Sequence, residues 1–486
     1  MRRWLSRAIK AALALAVVAF ALLLAWAFLS RQMPALQPWH TTQLEAEFTR
    51  ADSDRVTDLA GYLAQEERLF AELDQKIYQR GSADGTAFSR YLAGGPQDPA
   101  WPQRNWNRSF ELVPEHIRGG ALLLHGLTDS PYSLREVAQT LYREGYYVLG
   151  LRLPGHGTIP AALTTVHWED WVAASRLGAR HVQERIGRNQ PMLIAGYSNG
   201  GGLAVKYALD ALEDESLPAP DQLVLFSPEI SISRAAAIAN SHKILSFLPY
   251  FAQFKWLDLL PEYDPFKYNS FPKNAAQQAW EVTASIALQI ERGAANGKIA
   301  EFPPTLGFLS WSDATVHTAA TIERLYDHLE DNGSELVIFG TNRLHFLSEF
   351  VPPIQTALAE RLKVSHDLPY RLTVISNLST DTQRMAVLSK AAHASTIQEQ
   401  ALGLVWPAGI FSLSHVAIPF PADDPVYGAG ADPSGNYRGL PLGALQARGE
   451  TNLLTVPLGK LMRLRHNPFF SYIDQRITEL AEDLTK

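Results

Sequence analysis

The sequence predicts an α/β fold, a mostly parallel central sheet flanked by helices. Three observations predict it. Short apolar runs at 121–124, 146–153, 192–195 and 222–226 alternate with helical periodicity at 133–144, 168–185 and 203–212. Strands buried on both faces read as continuous apolar runs, and parallel strands need crossover helices between them. One of these strands runs straight into IAGYSNGGGLA (194–204), which sets Gly196-x-Ser198-x-Gly200 between a strand and a helix. Further strand-like runs, TLGFLS (305–310), ELVIF (335–339) and YRLTVI (370–375), resume after a long interruption.

The chain has 486 residues, room for one large domain with additions or for two domains. Apolar residues make up 46% and charged residues 19%, and 43 Lys and Arg face 50 Asp and Glu for a net charge of -7. That balance lacks the basic excess of a nucleic-acid binder. The absence of cysteine excludes disulfides, thiolate metal sites and cysteine nucleophiles.

At the N-terminus, Arg2, Arg3, Arg7 and Lys10 precede an unbroken apolar run at 11–29. The run nearly spans a hydrocarbon core of about 30 Å. Segment 1–31 therefore reads as a membrane anchor with its positive flank cytoplasmic, which places the remainder in the periplasm or outside the cell. The competing reading is a signal peptide cleaved near Ala25-Trp26-Ala27, although its apolar region would be unusually long. Residues 32–104 form an extension: a proline-containing linker at 31–40, amphipathic helices at 44–78 and a Gly- and Pro-rich loop at 81–104. The first part of the core spans 105–230. Alternation lapses over 231–303, where ILSFLPYFAQFKWLDLL (244–260) is apolar and aromatic. This insertion reads either as a helical cap over the site or as an extra packed subdomain. The second part of the core is 304–486, with an insertion at about 343–400.

A sharp strand–turn–helix puts Ser198 in a strained backbone conformation and leaves no space for side chains at Gly196 and Gly200. Gly201 and Gly202 let the helix approach the sheet, and its N-terminus favours negative charge beside the serine. No Gly-Lys-Ser/Thr follows, which excludes a P-loop, and the spacing does not read as a dinucleotide fingerprint. A nucleophile on such a turn needs a second oxyanion donor from a loop after an earlier strand. HGLTDS (125–130) supplies one, so the backbone N–H groups of Leu127 and Asn199 are the candidate oxyanion hole. His125 precedes the serine by 73 residues and reads as structural.

HGLTDSP, RLPGHG (152–157) and GYSNGG together resemble the α/β-hydrolase superfamily, near its monoglyceride lipase and serine aminopeptidase-like branch. The resemblance runs from about residue 105 to 228, and less closely from 305 onward. It implies an α/β-hydrolase fold, with the order Ser…Asp/Glu…His for the catalytic groups. It assigns the acid to Asp313, which follows TLGFLS; the alternative reading of Asp313 is a helix N-cap ahead of a helix at 315–329. Two histidines compete for the base. His345 follows ELVIF, where a minimal family member carries it. His415 lies in SLSHVAIPFP, after a strand and loop at 404–411 and ahead of the final helix at 471–484. That context favours His415. His156, Asp423 and Asp424 read as loop and turn residues.

The implied chemistry is acyl transfer through Ser198, His415 and Asp313, with no organic cofactor and no metal. The substrate implied is a carboxylic ester, such as a monoacylglycerol or another lipid-derived ester. A peptidase or amidase with the same triad is the alternative, and it would need an acidic subsite, for which Glu229 and Glu262 are candidates. A non-catalytic envelope protein that keeps the fold is a third reading.

Overall fold

The computed structural model describes residues 2–80, 87–100, 104–232, 249–344, 367–432, 435, 437–445, 447–448 and 453–486. Arg2–Gln32 forms α1, a helix of 31 residues along which Trp4, Leu13, Val17, Phe20 and Phe28 are exposed. The expected membrane span finds no counterpart: among the described residues, no helix is long and apolar enough to cross a membrane. Cations occupy both ends of α1 and confine its apolar stretch to 11–29. At about 1.5 Å per residue, that stretch falls just short of about 30 Å of hydrocarbon.

The amphipathic spacing at 44–78 resolves into α2, Leu59–Lys76, whose first turn is capped by Asp58 accepting from the Gly61 N–H at 2.8 Å. Leu59, Tyr62, Glu66, Leu69 and Leu73 recur every three or four residues and form its buried face. The core follows as β1 Phe110–Leu112, β2 Gly119–Leu124, α3 Arg135–Arg143, β3 Tyr146–Leu151, α4 Trp168–Ile186, β4 Met192–Tyr197, α5 Asn199–Glu213 and β5 Gln222–Phe226. Next come the paired β6 Trp256–Asp258 and β7 Phe271–Pro272, then α6 Lys273–Asn296, β8 Thr305–Ser310 and α7 Thr318–Arg324. The chain continues through β9 Glu335–Phe339, β10 Arg371–Asn377, β11 Arg384–Lys390 and β12 Gln398–Val405 to α8 Phe470–Leu484.

Ten strands form one sheet in the order β1-β3-β2-β4-β5-β8-β9-β10-β11-β12. Neighbours from β3 to β10 are parallel, while β1, β11 and β12 add antiparallel edges. Alternate side chains of each strand enter opposite layers. Leu122, Leu124, Ile194 and Leu225 pack with Trp171 of α4, Leu203 of α5 and Ile286 of α6. Ala121, Leu123, Leu193 and Val224 pack with Val137 of α3 and Ile473 of α8. The interior is thus divided into two apolar layers by the sheet.

Several elements differ from the sequence reading. The helix expected from 203 begins at Asn199, directly after the nucleophile candidate, and the helix expected at 315–329 is confined to α7. Only the start of 404–411 is strand, because β12 ends at Val405. Within the insertion, α6 buries Ala275, Val282, Ile286 and Ile290 in the layer it shares with α4 and α5, so this helix is packed core. Residues 233–248 of the same insertion lie outside the described residues.

The extension at 32–104 is joined to the core through charge. Arg152, at the start of RLPGHG, is 1% exposed and pairs with Glu47 at 2.9 Å and Glu66 at 3.0 Å. The Tyr62 hydroxyl donates to the Arg152 carbonyl at 2.6 Å. A buried guanidinium with two carboxylates is satisfied only while the extension stays docked.

Candidate active site

The turn between β4 and α5 carries Ser198 at φ +54° and ψ −119°, a left-handed conformation that is unusual outside glycine. Two hydrogen bonds hold it: the Ser198 N–H donates to the Phe226 carbonyl, and the Glu229 N–H donates to the Ser198 carbonyl, each at 2.9 Å. A side chain at Gly196 would meet the Gly200 carbonyl oxygen at 2.3 Å, and one at Gly200 would meet the Leu124 carbonyl oxygen at 2.0 Å. Close packing of backbone on backbone therefore makes both glycines obligatory.

His415 opens a short turn of helix, His415–Ala417, whose approach is fixed by Ser310 Oγ donating to the Leu413 carbonyl at 2.7 Å. Its Nε2 is 3.0 Å from Ser198 Oγ, and its Nδ1 is 2.8 Å from Asp313 Oδ2. Asp313 sits just past the end of β8. Its Oδ1 accepts from the Thr315 and Val316 N–H groups, both at 2.8 Å. Helix α7 has His317 at its N-cap, so Asp313 closes a turn and does not cap the helix. Burial opposes ionisation of Asp313, but His415 and the two N–H donors together hold its carboxyl below the usual range. With Asp313 ionised, Nδ1 carries the proton and Nε2 presents its lone pair to Ser198. This brings together the three residues singled out from the sequence. His345 lies outside the described residues.

The loop after β2 abuts the serine. A Cβ built on Gly126, the residue before Leu127, would lie 3.2 Å from Ser198 Cβ, and Asn199 opens α5 on the other side. His125 is buried between loops: its Nε2 accepts from the Leu153 N–H and its Nδ1 donates to the Gly126 carbonyl, both at 3.0 Å. His156 is likewise buried, and burial pushes its imidazole down to about 4. Asp424 accepts from the Val426 and Tyr427 N–H groups and from the Tyr132 hydroxyl, so it is a turn residue. Asp423 is exposed. Among the described residues, no group of three or more His, Asp or Glu side chains is arranged to hold a metal.

The two candidate acids separate. Glu262 is committed to its own loop, accepting from the Asn269 and Ser270 N–H groups at 3.0 and 2.8 Å. Glu229 is buried, and its Oε2 has no hydrogen-bond partner among the described residues. Burial and the neighbouring Asp313 charge push the Glu229 carboxyl up to about 7. Sequence reasoning missed two charged residues beside the serine, Asp129 and Lys267, which lie 3.0 Å apart. Asp129 is within the HGLTDS motif, whereas nothing about PEYDPFKYNSFP marks Lys267 as a neighbour of Ser198. A groove of about 540 Å³ elsewhere, lined by Glu47, Phe48, His167 and Asp170 among others, includes none of these residues.

Residues 115–339 match the family model described as serine aminopeptidase, S33. This stretch is similar to the serine aminopeptidase-like α/β hydrolases. Over 89 residues, 18% of its length, the chain is 36% identical to the thermostable monoacylglycerol lipase of Bacillus sp. (strain H-257). That match spans 34% of the relative's length. Among solved structures, one from the metagenome-derived lipolytic enzymes LipS and LipT is 23% identical with a TM-score of 0.38, covering 48% of this chain and 87% of its own. The monoacylglycerol lipase of Paleococcus ferrophilus is 17% identical with a TM-score of 0.36, covering 52% and 97%.

Proposed function

We propose that the protein is a serine hydrolase of carboxylic esters, with Ser198 as nucleophile, His415 as general base and Asp313 as the group that orients it. The observation that carries this reading is the continuous chain Ser198 Oγ–His415 Nε2 at 3.0 Å and His415 Nδ1–Asp313 Oδ2 at 2.8 Å. His415 takes the Ser198 proton as Oγ attacks the ester carbonyl, and Asp313 stabilises the resulting imidazolium. The Leu127 and Asn199 N–H groups, the latter at the positive end of α5, receive the oxyanion. His415 then returns the proton to the departing alcohol. Water, activated by the same imidazole, hydrolyses the acyl-enzyme.

A lipid-derived ester such as a monoacylglycerol is the proposed substrate class, supported by the similarity to the monoacylglycerol lipase of the Bacillus strain. Labelling with a fluorophosphonate probe, followed by a panel of short esters, monoacylglycerols and aminoacyl amides, tests both parts. Equal labelling of wild type and Ser198→Ala overturns the nucleophile, and preference for amides overturns the ester reading. Amide hydrolysis is favoured as a second reading by one observation, the Glu229 Oε2 without a partner among the described residues, which would take a substrate amine. The sequence of 1–31 alone supports a further proposal: membrane attachment, with the core on the non-cytoplasmic side.

A further inference from the structure

Beside the nucleophile lies an ion pair that the reaction scheme leaves unused. Lys267 Nζ is 3.0 Å from Asp129 Oδ1 and sits 5.6, 5.6 and 5.9 Å from the ring centroids of Tyr197, Phe420 and Tyr427. Tyr197 immediately precedes Ser198, and its ring centroid is 5.4 Å from that of His415. A Cβ on Gly126 would be 2.9 Å from Asp129 Oδ2 and 3.2 Å from Ser198 Cβ. The carboxylate and the nucleophile thus face each other across a single glycine.

The pair also joins two segments. Lys267 belongs to the stretch between β6 and β7, and the next residue, Tyr268, donates its N–H to the Thr128 carbonyl at 2.9 Å. Thr128 has φ +66°, so the loop bearing Leu127 is strained and held from outside. Asp129 is buried, and among the described residues Lys267 is its one side-chain partner. Left unpaired in this low-dielectric setting, its charge would oppose the oxyanion that forms at Ser198.

We propose that Lys267 is a positioning residue: by pairing with Asp129 it cancels a buried negative charge beside the developing oxyanion. This rests on the ester-hydrolase reading. The ionisable groups facing Asp129 are Lys267, Asp264, His415 and the phenols of Tyr197 and Tyr427, and burial holds both phenols well above their ordinary value, so they stay neutral. Asp264 is itself held by Arg465 at 3.4 Å and by the Tyr427 hydroxyl at 2.5 Å. Burial already pushes the Asp129 carboxyl up to about 6, and loss of Lys267 would raise it further. Without Lys267, the carboxyl is neutral in mild acid and becomes an unpaired anion as the pH rises.

The test is the pH profile of kcat for a soluble ester between pH 6 and pH 9. Lys267→Met is expected to approach wild type at pH 6 and to lose about tenfold or more by pH 9, with KM within about threefold. Adding Asp129→Asn to Lys267→Met removes the alkaline loss, and Lys267→Arg never shows it. A Lys267→Met profile that overlays wild type overturns the proposal, as does a double variant that keeps the loss. If Lys267→Met fails to fold, Lys267→Gln with and without Asp129→Asn gives the same comparison. Wild type that turns over no ester at any pH sinks the hydrolase reading instead. The rate of fluorophosphonate capture by Ser198 then carries the same pH comparison.

Discussion

Ser198 occupies a conformation that costs about 1–3 kcal/mol, and only glycines on either side permit it. Gly200→Ala would drive a methyl into the Leu124 carbonyl oxygen, which belongs to a central strand and has no room to yield. A loss of about 3 kcal/mol or more is expected in denaturant unfolding, with ester turnover lost alongside. Asp313→Asn keeps the shape but reverses the preferred tautomer of His415, so kcat is expected to fall by about 10⁴. Glu229 offers a pH test of a different sign. Its folded-state carboxyl is raised to about 7, so the native state holds a proton that the unfolded chain releases near its ordinary value. The stability this proton contributes is full below that value and is lost as the pH climbs to about 7. Glu229→Gln is therefore expected to stabilise the protein at pH 8, by at most about 3 kcal/mol, and to flatten the slope between pH 5 and 7. An unchanged slope in pH-dependent unfolding would place the native proton elsewhere.

Elements with strong periodicity were legible. Helices α2, α3, α4 and α8 and strands β2 to β5, β8 and β9 coincide with segments read from apolar spacing, because each buries a regular face or run. Strand β11 escaped notice, and β12 was met only at its last two residues by the strand and loop read at 404–411. β12 is largely exposed and reads QEQALGLV, a pattern with no continuous apolar run. The 231–303 insertion was readable as an interruption but not as packing, since α6 finds its partners on α4 and α5, far away in sequence. At the site, Ser198 was legible because its strand, turn and helix are contiguous. His415 was harder, because 102 residues separate it from Asp313 and the contact is made only by the folded sheet. The docking of the extension was not legible, since Glu47 and Glu66 look like ordinary helix-face charges until Arg152 is placed between them. Arg152→Met leaves two carboxylates without their cation and is expected to cost about 3–5 kcal/mol. Limited proteolysis should then cut within 32–104 faster than in wild type. Equal cutting rates would show that apolar contacts alone hold the extension.

At the scale of the whole molecule, the chain combines a net charge of -7 with a terminal helix whose described large apolar side chains are exposed. The core leaves these side chains exposed, and an exposed apolar surface of this kind marks an interaction site. Four cations precede the apolar stretch, so an anionic leaflet would attract the end of α1 while the acidic core is repelled from it. Such an arrangement would keep the core beside a membrane while leaving Ser198 free of it. The full chain is expected to sediment with membranes after high-salt washing and to be released by detergent. Asp or Glu substituted at Leu15 and Phe20 together should shift it to the soluble fraction, with turnover of a soluble short ester unchanged within about twofold, because both side chains are exposed. Release of the unsubstituted chain by salt alone would reduce the attachment to charge.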